Sequence, residues 1–85
     1  MSEYLVEVFV SRAVAESAMP RLEDVSGAAE SKHVHLLRSI LIPEDETCFY
    51  HFEGPSGEAV REAATRSGLQ VERVVQAVSE TRVVK

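Results

Sequence analysis

The chain has 85 residues, with 9 Lys and Arg against 14 Asp and Glu, for a net charge of −5. That length makes one domain, because two would leave neither part enough interior, and an acidic balance lacks the cation surplus that displaces counterions from nucleic acid. Apolar residues at 45% and charged residues at 27% lie in the globular range, and a single cysteine excludes an internal disulfide and a zinc ribbon.

The opening Met1-Ser2-Glu3 has no basic flank and leads into an apolar run already interrupted by Glu7, unlike a secretory signal. No run approaches the roughly 20 apolar residues of a membrane span. These features predict a cytoplasmic protein. Residues 3–10 predict a strand, with Tyr4, Val6, Val8 and Val10 on one face and Leu5, Glu7 and Phe9 on the other. Val14, Ala18, Leu22, Val25 and Ala29 recur at helical spacing. Pro20 interrupts that stripe, so the main helix is expected to start there.

Residues 33–42 predict a long strand, Pro43 to Glu46 a polar turn, and Thr47 to Glu53 the returning arm of a hairpin. Gly54-Pro55 ends it. Ser56 is a good N-cap with Glu58 in the first turn, and Ala59, Val60, Ala63 and Ala64 form the apolar stripe of a second helix. Gly68 and Leu69 supply its C-terminal end. Residues 70–78 predict a fourth strand, and Arg82 to Val84 a short edge. The order β-α-β-β-α-β predicts an α+β, ferredoxin-like antiparallel sheet with both helices on one face.

With Ile42 opposite Thr47, one hairpin face holds Val34, Leu36, Arg38, Ile40, Ile42, Phe49, His51 and Glu53. The other holds His33, His35, Leu37, Ser39, Leu41, Cys48, Tyr50 and Phe52. Two short helices cover one face only. An uncovered face carrying Leu37, Leu41, Tyr50 and Phe52 predicts a homodimer packed sheet to sheet.

The histidines are the residues with transition-metal chemistry. His33 and His35, two apart on one strand, point the same way with backbones roughly 7 Å apart. That suits a two-imidazole site completed by a carboxylate or water, or simply two polar residues at the start of a strand. In this register His51 faces away from His35 and lies across from Arg38. A loop one residue longer would bring His51 and Glu53 to the His35 face. Glu7 is a further oxygen ligand, or a partner of Arg38. Cys48 and His51 point to opposite faces and make no nucleophile–base pair. Gly54 to Gly57 before a helix, and Glu44 to Glu46 in the turn, read as a cap and a solvated turn.

Tyr4-Leu5-Val6-Glu7, the strand from Val34 to Ser39, and above all Phe52-Glu53-Gly54-Pro55-Ser56 followed by Glu58-Ala59-Val60-Arg61-Glu62-Ala63-Ala64 and Ser67-Gly68-Leu69 are similar to a family of small bacterial nickel-binding proteins. In those the second half reads aromatic, Glu, Ala, Pro, then Glu-Ala-Val-Arg-Glu-Ala-Ala, then Gly-Leu-Pro and a closing strand. The likeness covers most of residues 33–78 and the first strand, and thins between Ser11 and Lys32. It implies a ferredoxin-like homodimer that binds nickel at its surface and sequesters it. The chain departs from the family at Val8, His35 and Tyr50, where many members have a histidine, an aromatic and a cysteine. Of the suspected ligands, only Glu7 falls on a matching position.

The combined expectation is a non-enzymatic binder of a divalent transition metal, Ni2+ by resemblance. It would use His33, His35 and His51 with Glu7 or Glu53, and lose affinity below about pH 6 as imidazole protonates. The alternative is a small-molecule site, as in dimeric ferredoxin-like isomerases or monooxygenases, near Arg38 and His51 with Tyr50 as a third polar group. The expected partner is a second copy of the chain, with neither nucleic acid nor membrane.

Overall fold

The computed structural model describes residues 2–11, Gly27 and 33–80. Apart from Gly27, which is helical, the helix expected to start near Pro20 lies outside the described residues, as does the edge at Arg82 to Val84. Strand β1 spans Ser2–Phe9, β2 His35–Ile42, β3 Thr47–Gly54 and β4 Val71–Ala77. Helix α1 spans Gly57–Arg66. The strands form one antiparallel sheet in the order β2-β3-β1-β4, so β3 and β1 are central.

The β2–β3 hairpin closes through a 3-10 turn at Pro43–Asp45, and Glu46 takes the left-handed conformation with φ 50°. Proline fixes the first φ of that turn. Ile42 pairs with Thr47, and the pairing runs back to Arg38 opposite His51, as the hairpin pattern predicts. It then slips. Leu36 pairs with Phe52 and His35 with Glu53, leaving Leu37 as the extra residue of a β-bulge. A second irregularity lies between β1 and β4, where Glu7 pairs with Arg73 and Val8 with Val71, so Glu72 is extra. That slip turns apolar Val71, rather than Glu72, toward the core.

The helix-side face carries Val6, Val8, Val10, Cys48, Tyr50 and Phe52, all buried against Val60, Ala63, Ala64 and Leu69. Leu36 and Leu41 pack at its margin. This corrects the expected face assignment. Tyr50, Phe52 and Leu41 lie under the helix layer. The opposite face holds Leu5, Phe9, Ile40, Phe49 and Val75 among charged residues. Burial distinguishes the faces: Tyr50 and Phe52, on the helix side, are the largest fully buried side chains.

Helix α1 starts at Ser56, whose Oγ accepts a hydrogen bond from the Ala59 N–H at 3.1 Å. It ends in a Schellman motif. Gly68 at φ +94° donates to the Thr65 carbonyl and Leu69 to the Ala64 carbonyl. Alanines at 63 and 64 let the helix lie close over the sheet, and Gly54 lets β3 pass beneath it. A Cβ on Gly54 would stand 2.8 Å from Val60 Cγ2 and 3.4 Å from Val34 Cγ2.

Two predictions follow from this packing. Gly54→Ala forces Val60 and Val34 apart and lowers stability by about 1–3 kcal/mol in urea unfolding; an unchanged midpoint would show that the layers separate freely. Cys48 and Tyr50 are buried side by side, and loss of water holds both above their ordinary values of 9.0 and 10.0. Groups raised in the folded state contribute stability below the unfolded values and lose it as pH rises past them. The urea midpoint therefore falls between about pH 8 and about pH 11, and a thiol reagent modifies Cys48 only as the chain unfolds.

Candidate functional site

The sheet face opposite α1 is organised in rows. Leu5 of β1 pairs with His51 of β3, which pairs with Arg38 of β2. The next row is Glu3, Glu53 and His35. Strand pairing therefore puts two imidazoles, two carboxylates and a guanidinium on adjacent rows of one face. The bulge at Leu37 does this: with uninterrupted pairing His35 would fall on the helix side, opposite Gly54. The sequence reading left His35, His51 and Glu53 dependent on a longer loop. The parity change comes instead from within the strand.

His51 is only 5% exposed, although it lies on the open face. Its Nε2 stands 2.6 Å from Glu3 Oε1, a diagonal contact between rows. The approach makes an ion pair when the imidazole is protonated, but the ring nitrogen lacks the direction of a hydrogen bond and is a buried polar atom without a hydrogen-bond partner. The Glu3 oxygen is better served, because the Ser79 hydroxyl donates to it at 2.7 Å. That bond, followed by His51 and the Arg38 charge, holds the Glu3 carboxyl below its ordinary value of 4.5 against the opposing effect of desolvation. Glu3 is an ion-pairing anion at neutral pH.

The other predicted ligands stand apart from this pair. His33 is exposed and precedes β2, so regular strand geometry does not set it beside His35. Glu7 lies on the open face, not in the interior. Among the described residues it pairs with Arg73 at 3.9 Å, not with Arg38. Exposed pairs of this kind contribute about 0–1 kcal/mol. Glu3 and Ser79 were missed by the sequence reading. Glu3 sits on the same face as Glu7, and that alternation was the available signal. Among the described residues no three His, Cys, Asp or Glu side chains gather into a group able to hold a metal ion.

The small-molecule site expected around Arg38, His51 and Tyr50 does not assemble as drawn, because Tyr50 projects to the helix side and is buried. Cavities open beside Val8, Val10, Tyr50 and Leu69, beside Glu7, Phe9, Glu72 and Arg73, along the outer side of α1 at Glu58 and Arg61, and beside Glu3, Gln76 and Val78.

No helix among the described residues is long and apolar enough to cross a membrane. No family model matches the sequence, and no curated protein matches it. Among solved structures the chain is similar to the crystal structure of SCO4226 from Streptomyces coelicolor A3(2), with a TM-score of 0.68 and 17% identity, over 94% of this chain and all of that one. At that identity the likeness shows the fold alone: a small α+β domain with a four-stranded antiparallel sheet, compatible with a ferredoxin-like fold.

After the Ser79 hydroxyl, the His51 contact helps hold the Glu3 carboxyl below its ordinary value. His51→Leu therefore raises the pH at which Glu3 protonates, read by NMR titration of its carboxyl carbon; an unmoved titration would show that the Ser79 hydroxyl alone holds it down.

Proposed function

We propose that the protein is a non-enzymatic binder of a divalent transition metal, held by His51 Nε2 and the Glu3 carboxylate, with His35 and Glu53 on the adjacent row. The carrying observation is the buried His51 Nε2, which has no hydrogen-bond partner and stands 2.6 Å from a carboxylate oxygen. A buried imidazole nitrogen without a hydrogen bond calls for an explanation, and a ring nitrogen beside an anionic oxygen is a donor pair of borderline character. Such donors suit nickel, copper and zinc. Nickel is the metal to which the family resemblance points, in a sequestering role. When bound, the ion would supply a positive centre to which the imidazole and the carboxylate both donate.

The working form in this reading is a homodimer packed through the open sheet face, in the cytoplasm, where the lone Cys48 stays a thiol. Phe9 at 60% and Ile40 at 45% exposure support the packing. So do the charges of both signs on that face, Glu3, Glu7 and Glu53 against Arg38 and Arg73.

Calorimetric titration with Ni2+ tests the metal. Saturable uptake is expected, lost or strongly weakened in His51→Ala, which removes a proposed ligand, and little changed in His33→Ala. No uptake, or uptake indifferent to His51→Ala, overturns the reading.

A further inference from the structure

We infer that the cavity between the end of β1 and the turn from α1 to β4 is a binding site for a small neutral molecule, a single ring or short alkyl body carrying one hydroxyl or carbonyl group. The cavity lies on the helix side of the sheet, away from the His51–Glu3 pair, so its occupancy is independent of metal binding.

The cavity measures about 390 Å3. Protein interiors are close-packed and leave few voids larger than a water molecule, so a space of this size is no packing defect. It falls within the range of about 300–1,000 Å3 that small-molecule sites occupy. Its walls come from three places. Val8, Val10 and Ser11 line it from the end of β1, Tyr50 from β3, and Leu69 and Gln70 from the turn before β4. Gly68 leaves room in that turn, since a Cβ built on it would meet nothing within 4 Å.

These walls are held in place by the fold itself. The Val10 N–H donates to the Glu46 carbonyl at 2.8 Å, which ties the end of β1 to the hairpin turn. The Leu69 N–H donates to the Ala64 carbonyl at 3.2 Å, and Tyr50 is fixed by its pairing with Val6 between the central strands. A preformed site spares its ligand the cost of ordering these groups.

The lining selects the chemistry. Val8, Val10 and Leu69 are buried apolar side chains that suit a ring or a short alkyl chain. No described residue around the cavity is charged, so an ionised ligand would leave water without a counter-charge to meet it. The polar groups are few: the Tyr50 hydroxyl in the wall, and Ser11 and Gln70 toward solvent. Burial keeps Tyr50 protonated far above neutral pH, and its hydroxyl hydrogen-bonds with Cys48. A phenol oxygen both donates and accepts, so that bond leaves capacity for one polar group on a ligand.

The test is NMR titration of the isotope-labelled full chain with benzyl alcohol, and with benzoate and benzylammonium as ions of the same size. The result expected is a saturable shift with a dissociation constant of about 1 mM or tighter. The shifts gather at Val8, Val10, Gly68, Leu69 and Gln70, and both ions bind at least tenfold more weakly. Gln70→Trp plugs the exposed mouth without entering the interior, and Leu69→Phe fills the cavity from its wall. Each, once its spectrum shows it folded, is expected to lose benzyl alcohol affinity at least tenfold. Shifts that do not saturate, or that gather on the opposite face at Ile40 and Phe49, overturn the site, as does undiminished binding in Gln70→Trp. Equal binding of either ion overturns the neutral ligand class.

Discussion

Side chains alternate strictly along a strand, so one extra residue on one side of a pair moves everything beyond it to the opposite face. In β2 that residue is Leu37. On its C-terminal side Ile40 and Arg38 share the open face with Phe49 and His51. On its N-terminal side His35 joins them instead of pointing under the helix, and Leu36 turns inward to Phe52. The polar cluster on the open face depends on this slip. Without it Leu36 would be lost from the core margin, and an imidazole would press into the layer that Val34, Gly54 and Val60 fill. Packing enforces the bulge, and the grouping of His35, Glu53, Glu3 and His51 follows.

The interior is assembled by small residues at the points of closest approach. Gly54 on β3 and the alanines of α1 bring helix and sheet together, and Tyr50 and Phe52 fill the space between. A layer of this thickness leaves little tolerance for a polar atom, which explains why the titratable groups of β3 divide as they do. Cys48 and Tyr50 are kept neutral on one side. His51, one residue away, is kept near a carboxylate on the other.

Much of the fold could be read from the chain, because its determinants are local. Alternation over Tyr4 to Val10, the Ser56 cap, the Val60–Ala63–Ala64 stripe and the Gly68–Leu69 ending each specify a few neighbouring residues, and each is found. The hairpin pairing from Ile42 to Arg38 was equally local, set by the proline-headed turn. What could not be read depends on tertiary balance. Both hairpin faces are apolar enough to be the core, and only the helix layer decides between them. The bulges at Leu37 and Glu72 leave no compositional mark. Glu3 and Ser79, 76 residues apart, come together only because β4 ends beside the start of β1. The candidate site was therefore legible in its residue types, and in His51 and Arg38 facing one another, but not in its membership.

The two irregularities in the sheet sit on its two outer strands, β2 and β4. An outer strand exposes a row of unpaired backbone donors and acceptors, a template on which any extended chain can add itself. A bulge bends and twists that row, and here each is accompanied by charge: Arg38 beside Leu37, and Arg73 beside Glu72. The domain thus discourages growth by strand addition, the route to open-ended fibrils. The same slips that arrange the side chains also leave the edges of the described sheet poorly matched to an added strand.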